Sequence, residues 1–408
     1  MPRRLGRRTF LGKAGLGVAG AFAVASRSPA LGFTANETVR AGCIGTGGRA
    51  LRALMPSLRQ VPNVEIRAVS DVWDRHLEEA KALAEAGSPA SKDYRRVLDR
   101  RDVDAVLVAT PDHWHVPITV DACKAGKDVY VEKPLTHDSA EGDRVIAAQN
   151  ESSRIVQVGM QQRSMPHIRK ARELVRQGRI GDVHRIHLSW NRGTSLSNRR
   201  PRYGIEESSV DWKAFLGSAP AREFDEYRFR NWRWFWDYGG GILTDLMVHW
   251  IDVANWICDL DGPARAASIG DHYQTKGLWE TPDTIQTLLE YPDRGVQVFF
   301  EGTFFNARNG ARIELQGTGG TLYIDRGRYE LIPQGGGEAD EWVIGSGGRG
   351  ADFYGEVNGA LLHLTDWIEC VRSRKAPVAP AEAGVSACRG AHLGNEAFRS
   401  GKVALARA

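Results

Sequence analysis

Residues 39–50 read VRAGCIGTGGRA, an apolar segment that runs into a glycine-rich turn. The apolar part is typical of a buried strand, and the leucines at positions 51, 54 and 58 are typical of a helix. The turn matches G-x-G-x-x-A, and between a strand and a helix this pattern indicates a dinucleotide site. Gly45 permits the tight turn, Gly47 lets the backbone approach a pyrophosphate, and Ala50 allows close helix packing. Gly48 and Arg49 complete this first set of candidate cofactor-binding residues.

A second strand-like segment, residues 64–70, ends at Asp71. This acid lies 24 residues beyond Gly47, where a carboxylate can bind the ribose 2′-hydroxyl. The same carboxylate repels a 2′-phosphate, so the sequence favours NAD over NADP. The nearby cation Arg75 complicates that preference.

Strand and helix patterns alternate through the rest of this region, with strands at residues 103–109, 128–131 and 155–158 and helices at 117–125 and 140–152. Such alternation predicts a doubly wound parallel sheet, the Rossmann fold. Two strands end in polar clusters, at residues 110–115 and 132–134. Because ligands bind at the carboxyl ends of such strands, we expect both clusters to face the cofactor. The candidates they supply are Thr110, Pro111, His113, His115, Glu132 and Lys133.

The later part of the chain has a helix pattern at residues 167–177 and strand patterns at 183–189, 284–290 and 296–304. Late strands of this kind predict an open, mainly antiparallel sheet. The glycine-rich residues 335–350 predict a loop. We therefore predict an α/β protein, with a Rossmann domain over residues 36–157 and a substrate-binding α/β domain over residues 158–408.

Residues 239–249 read GGGILTDLMVH, a glycine turn that opens a predicted helix. Asp245 and His249 are four residues apart, so on a helix they share one face and can address one ligand. No third and fourth ligands follow at a defined spacing, so we expect no metal.

Five of the 12 tryptophans lie within residues 232–256. Aromatic faces suit the C–H surfaces of sugar rings, although tryptophan is usually buried and at least half of these five are expected in the core. The candidate substrate-binding residues are Gln161, Arg163, Arg233 and Trp236.

The glycine turn, the segment ATPDHWH at 109–115, the tripeptide EKP at 132–134 and the pattern GGGxxxDxxxH together resemble the Gfo/Idh/MocA oxidoreductases. This is the family of glucose-fructose oxidoreductase and inositol dehydrogenase, and the resemblance extends from residue 38 to the end. It implies that Lys133 lies beside the nicotinamide and the reacting hydroxyl. It further implies that His249 accepts the hydroxyl proton, that Lys133 polarises the oxygen, and that Asp245 orients the substrate or His249. The free face of the second sheet is expected to form a homo-oligomer, a dimer or a tetramer.

The first 35 residues hold six basic residues and no acid, and the net charge of the whole chain is +4, so the remainder carries −2. That remainder has no basic footprint for nucleic acid. Within the basic segment, Arg7 and Arg8 precede an apolar stretch, residues 14–25, that is short for a membrane span. This resembles a twin-arginine signal.

We therefore expect residues 1–35 to be a signal peptide that engages the twin-arginine translocation machinery and delivers the protein to the periplasm. An uncleaved membrane anchor and the basic N-terminus of a cytoplasmic protein remain open as alternatives. The five cysteines are scattered and odd in number, which supports neither a disulfide framework nor a zinc site.

These features predict an NAD(P)-dependent oxidoreductase that transfers hydride between a tightly held nicotinamide and a hydroxyl of a carbohydrate or polyol. An exported enzyme meets no large pool of NAD, so its cofactor must be regenerated in place. A redox-neutral NAD-dependent glycoside hydrolase, which oxidises, eliminates, hydrates and reduces again, is the alternative. A sugar-binding protein without catalysis is a third hypothesis, against which the retained Lys133, Asp245 and His249 argue.

Overall fold

The computed structural model describes residues 38–194, 200–344, 347–350 and 357–406. The predicted signal peptide, residues 1–35, lies outside the described residues. Within these ranges, no helix combines the length and the apolar character that crossing a bilayer requires.

The first sheet has six strands in the order β3-β2-β1-β4-β5-β6, and every described pairing between them is parallel. The strands β4 and β5 are buried along their whole length, as expected for a sheet covered on both faces. This is the predicted doubly wound Rossmann sheet. The strands are β1 (Val39–Ile44), β2 (Val64–Ser70), β3 (Ala90–Ser91), β4 (Ala105–Val108), β5 (Asp128–Val131) and β6 (Val156–Val158).

The helix that follows the glycine turn begins with a π-helical segment, Ala50–Leu54, and continues as a short α-helix. Its leucines at 54 and 58 are fully buried against the sheet, as their spacing predicts. The helices of this region are α1 (Met55–Leu58), α2 (Asp74–Lys81), α3 (Arg95–Leu98), α4 (His115–Lys124) and α5 (Gly142–Ser152).

The second sheet has nine strands in the order β14-β13-β12-β11-β7-β10-β9-β8-β15. Its pairings are antiparallel except that between β7 and β10, so the predicted mainly antiparallel sheet is confirmed. The strands are β7 (Val183–Asn191), β8 (Arg265–Asp271), β9 (Thr284–Tyr291), β10 (Val296–Thr303), β11 (Ala311–Gly317), β12 (Gly320–Asp325), β13 (Arg328–Pro333), β14 (Asp340–Val343) and β15 (Ala404–Leu405). The strand β14 falls inside residues 335–350, so the prediction of a loop there was wrong in part: hydrogen bonding to β13 outweighs the local glycine content.

Helices α9 and α11 pack on each other, α9 against β7 and β11 and α11 against β8 and β9 of the second sheet. Helix α11 also contacts α5 and β6, so the two sheets share one continuous apolar core. The helices are α6 (Pro166–Arg176), α7 (Trp212–Leu216), α8 (Glu226–Arg230), α9 (Val248–Cys258), α10 (Gly359–Ser373) and α11 (Ala381–Ser400).

Helix α10 comes late in the chain but packs on the first sheet. Its fully buried residues Leu364, Trp367 and Ile368 join an apolar cluster formed by β1, β2, β4 and the helix after the glycine turn. The ring of Trp367 lies 5.7 Å from that of Tyr130 in β5. The first sheet therefore owes part of the cover on one face to a helix from the second half of the chain.

Residues 205–238, which include α7 and α8, also reach back to the first domain; we refer to them as the crossing segment. The backbone N–H of Asp211 donates to the carbonyl of Val72 at 2.8 Å. The indole N–H of Trp114 donates to the carbonyl of Phe215 at 2.9 Å. The crossing segment thus lies over the carboxyl ends of the parallel strands, where a ligand of this fold binds.

Candidate active site

A groove of about 450 Å³ runs along the carboxyl ends of β1, β2 and β4. One wall is formed by the turns that follow these strands, and the other by the crossing segment. Aromatic side chains supply much of the lining, which includes Trp73, Tyr94, Trp114, Phe215, Phe229 and Trp232. This is an apolar slot between two layers of backbone, open to polar groups at the strand ends.

Two glycines at the start of the groove have different structural reasons. Gly45 has φ of +78°, and a Cβ there would lie 2.5 Å from the backbone nitrogen of Thr110, so the fold itself requires glycine. At Gly47, a Cβ would lie 3.6 Å from the nearest neighbour, the ring of His76, which is an ordinary contact. The fold leaves room for a side chain at Gly47, so contacts within the protein do not require glycine at this position.

Asp71 lies at the end of β2 in the groove, as its sequence position predicts. Its carboxylate accepts a hydrogen bond from the backbone N–H of Trp73 at 2.9 Å and lies 3.5 Å from Nδ1 of His76. Arg75 donates from its Nε to Glu79 at 2.9 Å, and its guanidinium carbon lies 5.6 Å from the ring centroid of Trp73, which lines the groove.

Arg49 and Glu132 form an ion pair at 2.9 Å, which joins the glycine turn to the end of β5. The Nη2 atom of Arg49 is buried and has no hydrogen-bond partner. The same is true of Oγ1 of Thr110 and Oε1 of Gln161. Three buried polar atoms in the walls of the site therefore lack a hydrogen-bond partner within the protein.

A second, smaller cavity of about 150 Å³ continues from the groove, with Arg49, Thr110, Trp232 and Arg233 lining both. We refer to it as the inner cavity. Its other polar lining residues are Asp112, His115, Glu132, Lys133, Gln161, Arg192, Asp245 and His249.

Lys133 and Asp245 meet in the inner cavity although they are far apart in the sequence. The ammonium Nζ of Lys133 donates to a carboxylate oxygen of Asp245 at 3.0 Å and to its backbone carbonyl at 2.8 Å. The Nε of Arg233 donates to the same carboxylate at 3.2 Å. Burial opposes ionisation of Asp245, but Lys133 and Arg233 together lower its pKa below the ordinary value.

His249 lies on α9 at the base of the inner cavity. Its ring stacks on Trp190 with 5.0 Å between centroids, and Nδ1 is buried without a partner. Burial, reinforced by the charges of Lys133 and Arg326, places the pKa of His249 well below its ordinary value. The imidazole is therefore neutral at pH 7 and able to accept a proton.

Asp112 is a buried carboxyl in the inner cavity that the sequence analysis did not select. Burial raises its pKa well above the ordinary value, and Lys133 and Arg233 offset this only in part. The inner cavity therefore holds two carboxyls whose pKa values are shifted in opposite directions, the arrangement by which active sites separate an acid from a base.

Three predicted site residues lie away from the cavities. His113 is buried, and its Nε2 faces the carbonyl of Phe215 at 2.8 Å. Arg163 contacts both carboxylate oxygens of Asp252 in a buried ion pair. Trp236 is covered by Arg399 and its backbone N–H donates to Glu280, so it does not line the inner cavity. The guanidinium of Arg163 is therefore fully engaged by the protein, whereas Nδ1 of His113 is buried without a partner.

Other predicted residues line the site or support it. Gly48, Pro111, Gln161 and Arg233 line one or both cavities, whereas Ala50 is buried beneath the glycine turn. His115 reaches the inner cavity, but its two ring nitrogens face the carbonyls of Pro134 at 2.6 Å and Thr110 at 3.0 Å. It ties together the turns after β4 and β5.

The sequence analysis missed Asp112, Trp190, Arg192 and Trp232, all of which line the inner cavity. Asp112 and Trp232 belong to segments that the sequence analysis had selected. The sequence therefore located these segments but did not show which of their side chains face the cavity. In the described part of the chain, no three His, Cys, Asp or Glu side chains are grouped as a metal site would require.

The groove fits a dinucleotide. The glycine turn leaves room for a ligand at Gly47. The carboxylate of Asp71, at the end of β2, can accept a hydrogen bond from a ribose 2′-hydroxyl, and Arg49 has a buried N–H group without a partner. The inner cavity adjoins it at the position where a reacting group would meet the cofactor.

Comparison with protein families agrees with this arrangement. Residues 39–160 match the oxidoreductase family model described as an NAD-binding Rossmann fold, and residues 172–405 match the C-terminal alpha/beta domain of the same family. The chain belongs to the Gfo/Idh/MocA oxidoreductase family. The resemblance drawn from the sequence motifs is thereby confirmed, as is the prediction of an NAD(P)-dependent oxidoreductase.

Individual members of the family share different parts of the chain. It is 30% identical over 303 residues to dTDP-3,4-didehydro-2,6-dideoxy-alpha-D-glucose 3-reductase of Streptomyces violaceoruber, covering 71% of this chain and 74% of that protein. It is 40% identical over 151 residues to a glycosyl hydrolase family 109 protein of Saccharopolyspora erythraea, covering 32% of this chain and 33% of that protein. Among solved structures, a levoglucosan dehydrogenase in complex with NADH and levoglucosan superposes with a TM-score of 0.69 at 17% identity, covering 90% of this chain and 99% of that one. This likeness shows the shared fold.

Proposed function

We propose that this Gfo/Idh/MocA oxidoreductase transfers hydride between a nicotinamide dinucleotide in the groove and a hydroxyl-bearing carbon of a sugar, glycoside or polyol in the inner cavity. The observation that carries the proposal is the contact of Lys133 with Asp245, which fixes an ammonium group in the lining of the inner cavity. The sugar-modifying relatives support the substrate class.

The bound nicotinamide would accept or return the hydride, and the protein residues would manage the proton. His249 is neutral and has an unpaired ring nitrogen, so we assign it the role of general base for the hydroxyl. The ammonium of Lys133 would donate a hydrogen bond to the same oxygen and stabilise it as charge develops. Asp245 contacts Lys133 and Arg233, so we assign it the positioning of Lys133 rather than of His249.

We assign NAD as the preferred dinucleotide. The carboxylate of Asp71 faces the groove, and Arg75, the cation that suits a 2′-phosphate, is paired with Glu79.

We further propose that residues 36–157 form a first domain and residues 158–408 a second. The second domain would complete the substrate site and form a homo-oligomer. Export by the twin-arginine pathway to the periplasm is likewise proposed, on the Arg7-Arg8 motif.

Asp112 favours one second candidate function, a redox-neutral glycoside hydrolase. That reaction needs an acid for the leaving group, and Asp112 is a carboxyl in the inner cavity whose pKa is raised by burial. The match to the glycosyl hydrolase family 109 protein, which covers a third of that relative, supports it.

The two functions are separated on protein purified without added nucleotide. Released dinucleotide is identified after denaturation, and the intact protein is incubated with sugars and aryl glycosides while absorbance at about 340 nm and aglycone are followed. Sugar-dependent reduction without aglycone supports the oxidoreductase. Aglycone release without net reduction supports the hydrolase, and neither signal with any substrate rejects both.

A further inference from the structure

The inner cavity holds more positive than negative charge. Four cations line it, of which Arg49 is neutralised by Glu132 at 2.9 Å. The remaining three, Lys133, Arg192 and Arg233, face one ionised carboxylate, that of Asp245. Asp112 is the third carboxyl of the lining, and burial raises its pKa, which disfavours its charged form. Four cations thus face three carboxyls, so at least one positive charge is unbalanced in the inner cavity.

Arg192 is the cation that the protein itself does not use. It follows directly after β7, is exposed, and its guanidinium has no hydrogen bond or ion pair within the described residues. The side chain lies over the ring of Trp190, with 5.8 Å to the centroid, and Trp190 in turn stacks on His249. Arg192 is therefore held near the proposed base without a carboxylate of its own.

Arg233 also lines the inner cavity. Only its Nε contacts Asp245, while its two terminal nitrogens have no hydrogen bond in the described structure. A guanidinium presents its N–H groups in a planar fork that matches two oxygens of a carboxylate or a phosphate. Arg192 and Arg233 together offer several such donors toward one space.

We infer that the substrate is an anionic sugar, whose carboxylate or phosphate pairs with Arg192 and Arg233 while the reacting hydroxyl lies between Lys133 and His249. This rests on the proposed hydride transfer for its second half only, since the pairing with the two arginines is a binding statement. A neutral sugar would leave Arg192 without a partner and the cavity with its excess charge.

The first test is equilibrium binding, measured by calorimetry on the purified protein with its resident dinucleotide. Glucuronate, galacturonate and gluconate are compared with glucose, galactose and sorbitol, and glucose 6-phosphate is the phosphate probe. The best anionic sugar is expected to bind about 10- to 100-fold more tightly than its neutral counterpart, as a charge-assisted hydrogen bond allows. Preference for the uronates or aldonates assigns a carboxylate, and preference for the ester assigns a phosphate.

The matched variants are Arg192→Gln and Arg185→Gln. Arg185 lies within β7, the strand that Arg192 follows. It is exposed and donates a hydrogen bond to Gln316, and it does not line the inner cavity. R192Q is expected to remove most of the preference for the anionic sugar and to change binding of the neutral sugar by less than about threefold. R185Q is expected to bind both sugars as the wild type does.

Equal binding of anionic and neutral sugars, or an unchanged preference in R192Q, would overturn the inference. Turnover of the same panel, followed at about 340 nm, keeps this outcome apart from failure of the proposed function. Selective binding of anionic sugars without any reduction or aglycone release upholds the inference and rejects the hydride transfer. Reduction of the bound dinucleotide by neutral sugars and not by anionic sugars rejects the inference and upholds the hydride transfer.

Discussion

The ammonium of Lys133 contacts both the carboxylate and the backbone carbonyl of Asp245, at 3.0 and 2.8 Å. Lys133 follows β5 of the first sheet, and Asp245 lies in the π-helical segment Leu243–Met247 ahead of α9. The contact therefore joins the first and second halves of the chain inside the inner cavity. Two opposite charges are positioned there by elements from both halves of the chain.

Replacing Lys133 with methionine should lower kcat by roughly 10² to 10⁴, the usual contribution of a positioned proton-transfer or polarising group. Affinity for the dinucleotide should change little, since the groove keeps its glycine turn and Asp71. Steady-state kinetics and nucleotide titration measure the two effects. The control is Lys124→Met, which removes an exposed lysine at the end of α4. Turnover of the Lys133 variant within about tenfold of wild type would reject the assigned role.

Replacing Gly47 with alanine should lower the affinity for the dinucleotide without destabilising the fold. The new Cβ would meet the protein only at 3.6 Å, yet it would stand in the groove where the ligand approaches. The matched change is Gly390→Ala in α11, where a Cβ would meet its neighbours at 3.5 Å far from the groove. Thermal unfolding of the apoproteins and nucleotide titration separate the cases. A Gly47 variant that binds NAD as the wild type does would contradict the placement of the ligand.

Replacing Asp71 with serine should lower the affinity for NAD and reduce the selection against NADP. The carboxylate is the group that favours a free 2′-hydroxyl and repels a phosphate there. Dissociation constants for the two dinucleotides give the preference directly. Glu79→Gln is the companion variant, because it frees Arg75 from its ion pair while leaving Asp71 in place. The ribose assignment fails if D71S keeps the wild-type ratio.

The pH dependence of kcat/KM should show no acid limb near pH 6.5, the ordinary pKa of histidine. Burial and the neighbouring Lys133 and Arg326 lower the pKa of His249, so its base form persists as the pH falls and is lost only on approach to that lower value. Replacement by asparagine should reduce the rate by about 10² or more at every pH between 5.5 and 8. A limb centred near 6.5 in the wild type, absent in His249→Asn, would show that the imidazole titrates normally.

Replacing Arg163 with methionine should destabilise the protein and leave substrate affinity unchanged. Its loss strands Asp252, which is 1% exposed, and breaking such a pair on one side costs about 3 to 5 kcal/mol. Urea unfolding gives the free energy, and KM tests the site. The double variant Arg163→Met with Asp252→Leu should recover much of the loss, because no charge is then left buried. A raised KM in the single variant, with unchanged unfolding, would return Arg163 to the substrate site.

Sequence patterns located β1, β2, β4, β5 and β6 of the first sheet because buried parallel strands are continuous apolar runs. The strand over residues 128–131 was predicted with the bounds that β5 has, and the predicted helix at 167–177 is α6 shifted by one residue. In the second sheet, six strands were missed, β8 and β11 to β15. The edge strand β14 is stabilised by pairing with β13 rather than by apolar content.

Side-chain orientation within short turns was the part that the sequence could not supply. Asp112 and His113 are adjacent in a 3₁₀ turn, where successive residues point about 120° apart, so one faces the inner cavity and the other the protein core. Trp232 likewise lines the inner cavity, whereas Trp236 does not. The pairing of Arg163 with Asp252 joins residues 89 positions apart, and no local pattern announces it.

Helix α10 makes the first domain dependent on the end of the chain. A chimera that exchanged only residues 36–157 with another family member would set a foreign sheet surface against the resident Leu364, Trp367 and Ile368. The unit of exchange between relatives is therefore discontinuous, and a successful graft of the cofactor domain has to carry residues 359–373 with it.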